Sequence, residues 1–196
     1  MNSIFNFIIS PKAKRTTSVK KINDSELMLN TELQNHHYVS RLGVVKKIPL
    51  AIKTEIKAGD EVIVHHNVFR RFYDIRGNEK NSRSYFKEDE YFLAPDQVFA
   101  YKRNGEWNCV KGYCFVKPIK EDKMFSIDFE KKNMGIVKYS DGTVEKESLI
   151  GFKPGLEYEF FIEKERLYRV PSHLILIKYE YQGNEEEYNP SWTQSS

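Results

Sequence analysis

Only two cysteines, Cys109 and Cys114, occur among the 196 residues, too few for the disulfide framework of a small secreted scaffold. Their spacing is not that of a zinc ribbon, and no second cysteine pair exists to complete one. A reducing, cytoplasmic setting is therefore expected. Charge of one sign is scarce as well. Lys and Arg number 31 against 28 Asp and Glu, a formal net charge of +3 with His neutral, which offers no broad field for nucleic acid or an anionic membrane. No apolar run approaches the roughly 20 residues that a membrane-spanning helix needs. Residues 1–9 are apolar but have neither a basic start nor a small-residue cleavage site, so they do not read as a signal peptide.

Several chemical signatures are missing. Neither Gly-x-x-x-x-Gly-Lys-Ser/Thr nor Gly-x-Gly-x-x-Gly appears, which argues against a nucleotide-driven enzyme. No nucleophile-elbow pattern occurs. His36-His37 and His65-His66 are adjacent pairs, and neighbours on a strand point to opposite faces, so such a pair seldom chelates one metal. Glu88-Asp89-Glu90 and Glu185-Glu186-Glu187 read as solvated charge runs. The chain is expected not to be an enzyme and to carry no cofactor, no metal and no catalytic residue.

What is present points to strands. With 13 Phe, 12 Tyr and many Val and Ile, the composition favours β over α. Short apolar or alternating runs bounded by Gly, Pro, Asp or Lys recur, as in Glu61-Val62-Ile63-Val64, Val98-Phe99-Ala100-Tyr101 and Tyr158-Glu159-Phe160-Phe161-Ile162. An all-β sandwich or barrel follows.

The most informative feature is an internal repeat. Phe7-Ile8-Ile9-Ser10-Pro11-Lys12 matches Cys114-Phe115-Val116-Lys117-Pro118-Ile119, and Gly43-Val44-Val45-Lys46 matches Gly135-Ile136-Val137-Lys138. Ile56-Lys57-Ala58-Gly59-Asp60-Glu61-Val62 matches Phe152-Lys153-Pro154-Gly155-Leu156-Glu157-Tyr158, and the stretch from Tyr91 to Lys102 matches that from Leu167 to Lys178. All four matches keep their order. Each copy opens on a strand ending at a proline, which suits a strand edge, and Gly59 and Gly155 suit turns that need positive φ. The copies differ chiefly between Pro11 and Gly43 and between Gly59 and Pro95, where the first is longer. Insertions of this kind belong on surface loops. The expected domains are residues 1–104 and 105–181, with a flexible tail at 182–196.

In this order the segments resemble the GroES-type co-chaperonin (chaperonin-10) family. Lys117-Pro118-Ile119 resembles its opening step, Gly43-Val44-Val45 and Gly135-Ile136-Val137 its second strand, and Lys57-Ala58-Gly59-Asp60-Glu61-Val62 its turn and third strand. Tyr91 through Tyr101 resembles its closing strand. The resemblance implies two tandem GroES-like small β-barrels where typical members have one. Leu156 stands where the family carries Asp, and the family's apolar mobile-loop tripeptide does not occur as such.

The resemblance implies a cap that docks onto a GroEL-like chaperonin ring, the partner supplying the ATP hydrolysis. Glu26, Leu27, Met28 and Leu29 are the nearest candidate for the docking segment of the mobile loop, an apolar island in a long polar stretch. Coupled folding and binding makes one such contact weak, and several on one ring act by avidity. A homo-oligomer follows, a heptamer if it is to match a seven-fold ring. Phe69, Arg70, Arg71, Phe72, Tyr73 and Arg76 would form a roof-like hairpin. Alternatives are a structural or binding module, a phage or other viral one included, that uses the barrel without a chaperonin, and a barrel that binds single-stranded nucleic acid through the same arginines and aromatics. Nucleic acid is the weaker expectation, and no membrane partner is expected. The alcohol dehydrogenases, which join a GroES-like domain to a dinucleotide-binding domain, are disfavoured because no such domain is encoded here.

Overall fold

The computed structural model describes residues 3–15, 39–121, 130–180, 183 and 185–188, with the backbone of 19–22 and 25–28. The chain is all-β: strands are joined by turns and short 3-10 segments, and no α-helix occurs among the described residues. It divides into two compact units, Met1–Glu106 and Trp107–Ser196.

The first unit contains β1 (Phe7–Pro11), β2 (Val19–Ile22), β3 (Ser25–Met28), β4 (Leu42–Lys47), β5 (Glu61–Val64), β6 (Arg71–Tyr73), β7 (Glu79–Asn81), β8 (Tyr85–Lys87), β9 (Glu90–Leu93) and β10 (Val98–Arg103). Six of them are consecutive strands of a seven-stranded sheet, in the order β10-β5-β4-β1-β9-β8. Phe7, Ile8 and Ile9 of β1 and Val62, Ile63 and Val64 of β5 are buried without alternation. An unbroken apolar run marks a strand covered on both faces.

A turn at Asn104 and Gly105, both with positive φ, leads into β11 (Glu106–Cys109). The second unit continues with β12 (Tyr113–Lys120), β13 (Glu130–Tyr139), β14 (Leu149–Phe152), β15 (Tyr158–Ile162), β16 (Glu165–Pro171) and β17 (Ile175–Lys178). Its sheet runs β17-β14-β13-β12-β16-β15, strand for strand the order of the first unit.

The match extends to register. Pro11 faces Gly43 and Ile9 faces Val45 in the first unit; Pro118 faces Gly135 and Val116 faces Val137 in the second. Register shifts fall at the same places, between Ile8 and Ile9 and between Phe115 and Val116. They recur in the last strand, after Val98 in one unit and beside the Gly151/Phe152 pairing in the other. Bulges fix register and local twist, so the two units share the features that set the shape of a sheet. Among the described residues both sheets are open, with β8 and β15 at corresponding ends.

Two of the sequence matches need correction. Gly59 donates its N–H to Val45 O (2.8 Å), and Val45 N donates to Asp60 O (2.9 Å). In the second unit the same bonds run from Glu147 N to Val137 O (2.7 Å) and from Val137 N to Ser148 O (2.9 Å). The counterpart of Gly59 is therefore Glu147, not Gly155, whose turn follows β14 instead of preceding the third core strand. Lys-x-Gly is a general turn signal, so the same turn chemistry recurs at two positions that are not equivalent. The closing match is also off by one. Ile9 faces Tyr91 and Val116 faces Tyr168, so Tyr91 corresponds to Tyr168 and not to Leu167.

Glu147 keeps the left-handed conformation of its counterpart, φ 62° against 93° for Gly59, although a β-carbon is strained there. Glu147→Gly is expected to raise the unfolding free energy of the second unit by about 0.5 kcal/mol, relief of strain outweighing the added chain entropy. Chemical denaturation of the two proteins side by side checks this, and a loss of stability would contradict it.

Asp141 ties together the loops at one end of the second unit. Its carboxylate accepts from Gly112 N (2.7 Å), Thr143 N (2.9 Å) and Ser172 Oγ (2.8 Å). Partial burial pushes its pKa up, but the hydrogen bonds from Thr143, Gly112 and Ser172 outweigh that and leave it below the ordinary 3.8. A carboxyl held low when folded stabilises the protein above the unfolded pKa, and that contribution is lost as pH falls through the folded one. Asp141→Asn should therefore flatten the acid limb of the stability–pH curve below about pH 4, measured as the denaturation midpoint between pH 2 and 6.

Candidate functional site

The units differ where two excursions leave the first. Residues 12–41 connect β1 to β4, whereas 121–129 connect β12 to β13; residues 65–84 connect β5 to β8, whereas 153–157 connect β14 to β15.

The first excursion contains an antiparallel hairpin in which β2 pairs with β3, Lys21 facing Glu26, Lys20 facing Leu27 and Val19 facing Met28. Glu26, Leu27 and Met28 of the expected docking segment thus lie in β3; Leu29 lies outside the described residues. The hairpin is a two-stranded sheet of its own, and such a pair is marginal in water without a further strand or partner.

The second excursion begins with a 3-10 segment, His66–Val68, capped by His65 Nδ1, which accepts from Asn67 N at 3.1 Å. The rings of His65 and His66 stack at 4.3 Å; they sit in this cap, not on a strand. Phe69 follows in the core, edge-on to Tyr91 at 5.0 Å, so it anchors the base of the excursion. β6 then pairs with β7, Arg71 opposite Asn81 and Tyr73 opposite Glu79. Asp74 makes the connecting turn, its Oδ1 accepting from Arg76 N and Asn78 N, both at 2.9 Å. The Asn78 N–H above all holds the Asp74 carboxyl below its ordinary pKa. Phe72, Tyr73 and Ile75 are exposed. Arg76 lies in the turn, Arg71 pairs with Glu79 at 3.1 Å, and Arg70 lines a groove at the excursion's base.

Arg15 joins the two excursions, and sequence reading did not single it out. It donates through Nε to Phe69 O (2.6 Å), through Nη2 to Arg70 O (3.1 Å) and through Nη1 to Asn81 Oδ1 (2.8 Å). Its guanidinium also lies 5.4 Å from the centre of the Tyr91 ring. Arg15→Ala is expected to loosen β6–β7 at a cost of about 2 kcal/mol, visible as faster amide hydrogen exchange there while β1, β4 and β5 keep their protection. In the sequence Arg15 closes a Lys-Ala-Lys-Arg run that nothing distinguishes from a solvated basic stretch.

Of the remaining candidates, Cys109 and Cys114 are buried and unbridged. Burial pushes the Cys109 thiol well up, and Cys114 Sγ lies 3.4 Å from Ser172 Oγ. Among the described residues no three His, Cys, Asp or Glu side chains could hold a metal ion, and no helix is long and apolar enough to cross a membrane. One surface stands out in the second unit. Leu176 and Ile177 of β17 are 66% and 51% exposed, whereas their counterparts Phe99 and Ala100 in β10 are 2% and 0% exposed. Beside β12, Glu187 bridges Ile119, Lys120 N donates to Glu186 O (2.8 Å) and Tyr188 N to Pro118 O (2.9 Å). Comparison with protein-family models, with curated proteins and with solved structures finds no match.

Proposed function

We propose that the chain is a non-enzymatic co-chaperonin, built of two GroES-like barrels in tandem, that caps a chaperonin ring and assists folding driven by the partner's ATPase. The observation that carries the reading is the asymmetry between two units of one topology: only the first extends long excursions from its sheet, and one of them holds Glu26, Leu27 and Met28 in a self-contained hairpin. A two-stranded hairpin is suited to complete its packing on a partner. The second unit is the structural copy, and Phe72 and Tyr73 of β6–β7 face the enclosed space as a roof. The setting is the cytoplasm.

Capping requires several chains to act together, so the protein is a homo-oligomer, seven-membered if it matches a seven-fold ring. The exposed Leu176 and Ile177 on an edge strand supply an apolar contact of the kind an assembly covers. Leu176→Lys with Ile177→Glu is expected to shift the mass in solution toward the monomer.

Capture on an immobilised chaperonin ring, with and without ATP, tests the reading. The full chain is expected to be retained only with nucleotide, and deletion of residues 25–32 is expected to abolish retention while leaving far-UV circular dichroism nearly unchanged. Undiminished capture after the deletion, or no capture of the intact chain under either condition, would overturn it. The latter outcome would favour a binding or structural module that works without a chaperonin.

A further inference from the structure

We infer that the groove at the base of the β6–β7 excursion is a binding site for the carboxylates of an acidic peptide segment. It is lined by Arg70 and Arg83 with Asn67, Phe72, Ser84 and Gln97. None of these side chains is acidic, and Arg70 and Arg83 form no ion pair among the described residues.

Arg70 and Arg83, like Arg76, have no carboxylate partner among the described residues, whereas other arginines of this unit do. Arg71 is held by Glu79, Arg103 by Asp60, and Arg15 by two backbone carbonyls and Asn81. Arg70 is different: its Nε is buried and has no hydrogen-bond partner. A buried donor left unmet is costly, and a carboxylate oxygen that displaced the atoms covering it would relieve it. Gln97 is pre-set for the same role, because its Oε1 already accepts from Ala94 N (3.2 Å), which leaves its NH2 as the free end. The Ser82 hydroxyl, spent on Val68 O at 2.6 Å, fixes the neighbouring backbone from which Arg83 and Ser84 project.

The ligand class follows from shape and chemistry. A guanidinium fork matches a planar carboxylate, and two forks in one groove suit two acidic side chains. The exposed Phe72 ring offers an apolar wall for a residue beside them. Asn67 and Gln97 lie in short 3-10 turns, Phe72 in β6 and the others in loops, with no α-helix N-terminus to cradle a tetrahedral phosphate. A nucleic-acid strand would need a continuous row of available cations, which is broken at Arg71 by Glu79.

The test is fluorescence polarisation with a labelled Gly-Phe-Asp-Glu-Asp-Gly peptide. Its Asn/Gln counterpart, inorganic phosphate and a single-stranded oligothymidylate serve as competitors. The acidic peptide is expected to bind at least about tenfold tighter than the neutral one. Arg70→Ala and Arg83→Ala should each lose about tenfold, and Arg76→Ala less than twofold. The Arg70 Nε–H resonance should move during the titration. Equal binding of the neutral peptide, tighter binding of phosphate or oligothymidylate than of the acidic peptide, or full affinity in Arg83→Ala would overturn the assignment. Arg83 is exposed, so that variant decides even if Arg70→Ala folds poorly.

Discussion

Replacing Gly135 with alanine is expected to destabilise the second unit by about 3 kcal/mol, whereas the same change at the equivalent Gly43 costs about 1 kcal/mol in the first. Both glycines face a proline across the ladder, Pro118 and Pro11, so the sequence context is matched. The space is not. A β-carbon at Gly135 would overlap the carbonyl oxygen of Lys117 and sit 2.6 Å from Val116 Cγ1, and a backbone carbonyl in a sheet has nowhere to retreat. At Gly43 the nearest atom is Ile9 Cδ1 at 3.0 Å, then Ser10 O at 3.2 Å; a side-chain methyl can turn aside. Urea denaturation of the two variants decides the matter, and equal losses would refute the claim that backbone crowding, not strand position, selects glycine here.

Phe115→Ala is expected to cost more, about 4 kcal/mol. The ring is fully buried, edge-on to Phe160 at 5.4 Å and to Tyr139 at 6.2 Å, so truncation leaves a cavity walled by two rigid aromatics that cannot collapse into it. A loss of that size lowers the urea midpoint of the unit by roughly 2–3 M. Trp107 gives a local reporter, being buried 6.4 Å from Tyr139, and the chain's other tryptophan, Trp192, lies outside the described residues. The fluorescence transition should therefore shift, while the part of the circular dichroism change due to the first unit stays in place. A shift below 1 M would mean that the site repacks.

Much of the fold was legible in the sequence because the repeat is carried by residues with few substitutes. Pro11 and Pro118 lack a ladder donor, and Gly43 and Gly135 stand where a β-carbon would crowd its neighbours, so these positions persist when the residues around them change. The turn before the third core strand was not legible in the second unit. There Glu147 and Ser148 do by backbone hydrogen bonding what Gly59 and Asp60 do in the first, and nothing in the letters announces it. The hairpin in 65–84 could be read from its turn residues and alternation. Its anchoring could not, since Arg15 is more than fifty positions from the carbonyls it binds. The buried Nε of Arg70 is likewise a property of packing, which a run of two arginines conceals.

The shared strand order and shared bulges also create a folding hazard. Two neighbouring sequences that accept the same ladder offer each other's strands an alternative mate during synthesis, and tandem homologous domains misassemble by such exchange. The protection lies in the side chains that have drifted apart. Ser10 corresponds to Lys117, Lys47 to Tyr139 and Asp60 to Ser148, so a strand inserted into the wrong sheet would meet mismatched charge and bulk at each of these rungs. Restoring likeness at those positions should slow refolding well before it alters the native state.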